Sequence, residues 1–293
     1  MAAALAYSDN IYAVKTHLFL GEEQLVKTMK MAGLKEKLNP VPSLALGSQE
    51  LNMLDYANSY ITLANYGTTN ETYFIERVED VNGNLLYKHK KNSKEVFNKD
   101  SVFIINEMMT NTYNPAFIDY LNPTIIYLNS KISRKYAIKS GTTDNDYWIV
   151  GYNPDALMMV WAGNDMNKNV NSVYSKKIKN IRCDSIKENG SNEDDVQLAG
   201  ILVNPKTGGV LALAGGKNYA RSQYNRVTQS KRQVGSTIKP FLYYSALENN
   251  MTESSRFYSS KVSFVFGNKE TYTPNNYSNL YANKEITMAA ALA

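Results

Sequence analysis

Along this chain of 293 residues the spacing of apolar positions changes from helical to alternating and back. Over residues 11–20 and 22–33 apolar side chains recur every three to four positions, which predicts two helices broken by one loop. Pro40 and Pro42 mark a loop, and residues 50–66 then predict a long helix closed by Gly67. Asn82-Gly83, between 72–80 and 85–90, predicts a hairpin. Residues 99–113 predict another helix, with Phe103, Ile104, Met108 and Met109 assigned to the core.

Beyond residue 134 the period drops to two. Residues 135–143, 147–152 and 157–162, joined by short Asp, Asn and Pro turns, predict an antiparallel meander. Residues 198–204 and 210–214 predict a further hairpin around 205–209. Between these sets, 170–181 reads as helix and the acidic stretch 188–195 as a solvated linker. Helical spacing returns after Gly235, and 249–284 is expected to be irregular, rich in Tyr, Asn and Ser. Helices and an antiparallel meander in one chain make an α+β fold.

Composition narrows the chemistry. With 43% apolar and 20% charged residues the chain is globular in type, with room for one large domain or two small ones. No apolar run reaches the ~18 residues that span a bilayer, and the Ala-rich start lacks the basic flank of a secretory signal. A soluble chain is therefore expected. A net charge of +5 suits an anionic partner such as a wall polymer, a membrane surface or nucleic acid, but the cations are spread rather than striped, so no nucleic-acid partner is expected. One cysteine, Cys183, excludes an internal disulfide. With His17 and His89 as the only histidines, both read as lying in polar surroundings, neither a Cys–His nucleophile nor a metal site is expected, and no cofactor is called for.

Three clusters carry chemistry. In Gly235-Ser236-Thr237-Ile238-Lys239-Pro240, three residues make almost one helical turn, so Ser236 and Lys239 share a face within hydrogen-bond reach. A lysine whose pKa is lowered by burial can take the serine proton, and a helix start favours a developing oxyanion. The commonplace alternative is an N-cap serine and a solvated lysine. In Ser8-Asp9-Asn10 the hydroxyl of Ser8 can relay a proton and the Asn10 amide can hold a substrate amide, although Asn10 could equally cap the helix that follows it. In Lys139-Ser140-Gly141-Thr142-Thr143, on a predicted strand, a lysine supplies positive potential, hydroxyls can grip a carboxylate, Gly141 allows close approach and a strand-edge N–H can serve an oxyanion. Lys206-Thr207-Gly208 has similar letters but lies in a predicted turn, and is read as turn chemistry.

S-x-x-K, S-x-N and K-[ST]-G together resemble the active-site set of the transpeptidase domain of class A (bifunctional) penicillin-binding proteins, over nearly the whole chain. Asn225-Arg226, Arg232-Gln233, Tyr272-Thr273-Pro274-Asn275-Asn276-Tyr277, Ala45-Leu46-Gly47-Ser48 and Ala64-Asn65-Tyr66-Gly67 are similar to further elements of that family. The resemblance implies a central antiparallel five-stranded sheet flanked by helices, the penicillin-binding-protein/serine β-lactamase-like transpeptidase fold. It implies Ser236 as the acylated nucleophile, Lys239 as its base, Ser8 as a proton relay and Lys139 as an electrostatic anchor that helps keep Lys239 deprotonated. Asn10, Ser140, Gly141, Thr142 and Thr143 would bind substrate, with the Ser236 and Thr142 N–H groups as oxyanion hole.

The order of the motifs is rotated: the family runs nucleophile, S-x-N, K-T-G, whereas this chain runs S-x-N, K-S-G, nucleophile. Residues 288–293 repeat residues 1–6, and merging the copies yields the family-like run KEITMAAALAYSDNIYAVK. A circular permutant is expected, with 1–182 the family's C-terminal part, 183–196 a connecting segment and 197–293 its N-terminal part. The family's first and last strands are sheet neighbours, so a short bridge would suffice. A monomer is expected, with exchange of the overlapping end segments between molecules as a minority alternative.

The activity implied is that of a serine D,D-transpeptidase acting on peptidoglycan stem peptides and acylated by β-lactam antibiotics. The parent would sit at the extracytoplasmic face of the bacterial cell membrane, with its glycosyltransferase domain and membrane anchor outside this chain. Two alternatives stand beside it: a non-catalytic β-lactam or peptide sensor, and a serine β-lactamase. The latter would need a Glu-x-x-Leu-Asn base, and here the residue three before Leu51 is Ser48.

Overall fold

The structure is a computed structural model that describes residues 8–118, 121–165, 196–267 and 269–292. The helix read at 170–181, the linker at 188–195, most of the connecting segment and Cys183 lie outside the described residues.

A five-stranded antiparallel sheet forms one layer, in the order Val210–Ala214, Val196–Val203, Ala156–Asn164, Asp146–Asn153, Ala137–Thr142. Strand Asp146–Asn153 alternates buried and half-buried residues along its whole length, as a strand with one face against a core must. Strand Ala156–Asn164 pairs directly with Val196–Val203, and the register sets Asn164 opposite Val196.

Helix Lys239–Glu248 lies at the centre of the helical layer, and its residues from Lys239 to Ala246 are all buried. Around it pack Asn10–Leu20, Glu22–Met31 and Lys99–Met109, while Met53–Ala64 lies against the sheet. The core shared by both layers includes Trp148, Met159, Trp161, Tyr56, Tyr60 and Phe241.

Several expectations are corrected. The helix read from residue 50 starts at Met53, because Asn52 accepts the Leu54 and Asp55 N–H groups as its cap, while Glu50–Asn52 pairs as a strand with Lys231–Gln233. Helix Lys99–Met109 ends in a 3₁₀ turn at Thr110–Tyr113. Its buried stripe is Val102, Ile105, Met108 and Met109, and Phe103, off that stripe, is 53% exposed. His17 is fully buried rather than in polar surroundings, with Nε2 3.2 Å from the Val41 carbonyl, and burial lowers its pKa against the opposing effect of that contact. Within 249–284 there is regular structure: Arg256–Ser259 pairs with Lys284–Thr287, and Phe264–Val265 with Thr271–Tyr272.

Candidate active site

Ser236 lies in a 3₁₀ turn, Gly235–Ile238, that runs straight into helix Lys239–Glu248. In a 3₁₀ turn residues i and i+3 eclipse, so Ser236 and Lys239 share an edge. The turn is clamped on several sides. The Tyr60 hydroxyl donates to the Thr237 carbonyl, Tyr56 Oη lies 3.1 Å from Thr237 Oγ1, and Trp148 Nε1 donates to the Gln233 carbonyl at 2.8 Å. Ser236 itself is half-buried.

Strand Ala137–Thr142 runs beside this turn. A Cβ on Gly141 would stand 2.5 Å from the Val234 carbonyl oxygen and 2.9 Å from Thr237 Cγ2, so only glycine permits the approach. From the other side Gly235, at φ +56°, faces the Thr142 backbone: a Cβ there would lie 3.1 Å from the Thr142 nitrogen.

The two lysines meet at Ser8. Lys139 Nζ, on a fully buried residue, donates to Ser8 Oγ at 2.9 Å and to the Ser140 carbonyl at 3.2 Å. Lys239, also fully buried, donates to Ser8 Oγ at 3.3 Å, to the carbonyls of Ser8 at 2.7 Å and Asp9 at 3.3 Å, and to Asn10 Oδ1 at 2.7 Å. Ser8 holds a left-handed backbone, φ +53°, a conformation that costs a non-glycine residue energy and persists only where its surroundings impose it.

Burial of Lys239 pushes its amine down to about 7, and the Asp9 carboxylate opposes the fall. Lys139 is held well below the usual lysine value, first by burial and then by the charge of Lys239. The lowering of Lys239 is owed to its burial, while the repulsion between the two amines falls on Lys139.

The predicted Ser236–Lys239 hydrogen bond is not formed, because the amine is drawn to Ser8 and Asn10; such contacts commonly tighten only with substrate in place. Asn10 is not the cap of helix Asn10–Leu20, since Asp9 Oδ1 accepts from the Tyr12 N–H and Asn10 is the first helical residue. Ser140 is half-buried and Thr142 exposed on the strand. Thr143 Oγ1 accepts from the Asp146 and Asn145 N–H groups, so its hydroxyl is engaged in the turn that joins two strands. Lys206-Thr207-Gly208 forms a turn, with Gly208 at φ +87° and Lys206 paired to Asp155.

Sequence reasoning gave no role to Asp9 or Asn276, both buried beside this cleft. Nor did it see that Asn52 is a helix cap whose Nδ2 donates to the Ser230 carbonyl, or that Ser48 donates to Ser43 at 2.9 Å. Among the described residues no group of His, Cys, Asp and Glu could hold a metal ion, and no helix is long and apolar enough to cross a membrane.

A serine, two buried amines and a carboxamide gathered between a sheet edge and a buried helix define a lysine–serine cluster. The profile described as "Penicillin binding protein transpeptidase domain" matches residues 1–186 and 198–293. The chain belongs to that family. It is 39% identical over 212 residues to penicillin-binding protein 2D of Bacillus subtilis, covering 70% of this chain and 31% of that one. It is 31% identical over 173 residues to penicillin-binding protein 1A of Aquifex aeolicus, covering 57% of this chain and 22% of that one. The crystal structure of penicillin-binding protein 1A from Haemophilus influenzae superposes with a TM-score of 0.51 at 22% identity, over 57% of this chain and 30% of that one, and shares the fold. The chain thus spans less than a third of the length of these relatives.

Proposed function

We propose that the chain is a serine D,D-transpeptidase that cross-links peptidoglycan stem peptides through an acyl-enzyme and is acylated by β-lactams. The observation that carries this is the convergence of Lys139 and Lys239 on Ser8 Oγ, at 2.9 and 3.3 Å, with Lys239 three positions after Ser236 at the end of its 3₁₀ turn. The free amine of Lys239 takes the Ser236 proton as Oγ attacks the carbonyl carbon of the penultimate D-Ala. The N–H groups of Ser236 and Thr142 receive the oxyanion, each worth about 10²–10³ in rate. The bond to the terminal D-Ala breaks, and its nitrogen leaves as an amine after receiving a proton through Ser8. An amine of a neighbouring stem then attacks the ester, and Ser236 regains its proton. Lys139, with Ser140 and Thr142, holds the substrate carboxylate, while Asn10 and the Gly141–Thr143 edge hold its backbone.

Intact-protein mass spectrometry with benzylpenicillin tests the assignment. A one-to-one adduct is expected on the native chain and none on Ser236→Ala; an adduct surviving in that variant refutes it. Fast turnover of a chromogenic cephalosporin would make the protein a β-lactamase instead. A stable adduct with no cross-linking of a D-Ala-D-Ala peptide to an amine acceptor would make it a sensor.

We further propose that the segments are circularly permuted. Three observations support this: the family match in two parts, the direct pairing of Ala156–Asn164 with Val196–Val203, and the Asp9 N–H donating to the Ala291 carbonyl at 2.9 Å. With the repeated letters merged, Ala291 stands five positions before Asp9 in one continuous chain. Re-joining 197–293 to residues 7–182 in family order should yield a protein that folds and acylates with the same Ser236 chemistry. A reordered chain that does not fold counts against permutation.

A further inference from the structure

Asn276 sits 7% exposed behind the cleft, hydrogen-bonded to a residue 267 positions away. Its Oδ1 accepts the backbone N–H groups of Asn10 at 2.8 Å and Ile11 at 3.3 Å. Asp9 Oδ1 accepts the next N–H, that of Tyr12, at 2.7 Å. The start of helix Asn10–Leu20 is thus satisfied by side chains from two distant segments. The Asn276 Nδ2 donates to Asp9 Oδ2 at 2.7 Å and lies 3.4 Å from Ser259 Oγ, while Ser259 also donates to Asp9 Oδ2.

The neighbouring residue settles a second orientation. Asn10 Nδ2 donates to the Asn275 carbonyl at 2.6 Å, which leaves Asn10 Oδ1 as the end of that carboxamide facing Lys239. Ser8, immediately before Asp9, holds its left-handed turn with its carbonyl 2.7 Å from the same amine. An imposed turn of this kind needs fixed neighbours on its far side, and the Asp9–Asn276 pair is that fixture.

We propose that Asn276 is a positioning residue of the cleft: its one carboxamide locks the Asp9 carboxylate and the first N–H groups of the helix, and thereby sets where Ser8 and Asn10 present their oxygens to Lys239. The inference rests on the transpeptidase reading for its kinetic arm. The ionisable groups around this point are Lys139 on the strand, Asp9 on the loop, Tyr12 on the first helix, and Lys239 and Tyr243 on the buried helix.

Exchanging the two partners separates positioning from bulk stability. In Asn276→Asp, two carboxylates face each other and fit only while they share a proton. In the double variant Asp9→Asn with Asn276→Asp, donor and acceptor are swapped, asparagine caps a helix as well as aspartate does, and one negative charge remains. Benzylpenicillin acylation would be followed from pH 6 to 9 by intact mass, with circular dichroism melts establishing that each variant is folded. Asn276→Asp should acylate roughly ten- to a hundredfold more slowly at pH 8, the deficit shrinking toward pH 6, and the double variant should return to within about threefold of the native rate. A folded Asn276→Asp that acylates at the native rate across this range overturns the proposal, and so does a double variant no faster than the slower single. A second readout does not depend on acylation. In Asn276→Ala, hydrogen exchange at the Asn10 and Ile11 amides should accelerate at least about tenfold while helix Lys239–Glu248 keeps its protection, and unchanged exchange refutes the lock. Should the native chain form no adduct at Ser236, the transpeptidase reading fails, and the exchange result alone decides on Asn276.

Discussion

Lowering the pH from 8.5 to 5.5 should slow acylation by an amount the burial of Lys239 sets. With its amine brought down to about 7, the free-base fraction falls from about 97% to about 3%, so the rate drops about 30-fold and is flat above pH 8.5. An amine left at the ordinary lysine value of 10.5 would behave differently: the rate would climb about tenfold per pH unit with no plateau before pH 10. The assay is the second-order rate of benzylpenicillin adduct formation across pH, read by intact mass, on protein shown to be folded at each pH. A rate still rising tenfold per unit between pH 8.5 and 9.5 refutes the reasoning. Stability carries the same sign. Between about 7 and 10.5 the unfolded chain binds the proton that the folded chain does not, so the Lys239 contribution rises with pH across that window and its penalty is complete below it.

Gly141→Ala puts a methyl 2.5 Å from the Val234 carbonyl oxygen, so the strand must part from the Ser236 turn. A loss of about 1–3 kcal/mol in urea unfolding is expected, with slower acylation than the stability change alone explains; native values on both counts would contradict the packing described. Tyr60→Phe removes the donor to the Thr237 carbonyl and should cost about 1–2 kcal/mol, measured the same way. Asp165→Asn weakens the partner of Arg226, whose side chain is buried and also bonds the Gly215 and Tyr224 carbonyls, and should lower the thermal midpoint by several degrees.

Much of the candidate site was legible in the letters as neighbouring groups, because its chemistry is written in short runs. Ser236 and Lys239 three apart, Ser8 two before Asn10, and a Lys-Ser-Gly on an alternating stretch each declare a local geometry. Residues 135–162 were legible as a meander for the same reason: period two needs only neighbours a few positions away. Where local rules compete, the tertiary partner decides. Asn52 looks like the interior of a helical run, yet it caps that helix because residues 50–52 find a partner strand at 231–233. Phe103 is apolar, but the direction of its helix leaves it toward solvent.

The sequence alone therefore determined which chemical groups this protein holds, and most of the helices and strands that carry them. Only the tertiary structure decided how those groups face one another: that both amines turn to Ser8 rather than to Ser236, that burial sets the state of Lys239, and that Asn276 closes on Asp9. Spacing governs contacts within a turn or between adjacent strands. Burial and contacts between segments 267 positions apart exist only once the whole chain has packed.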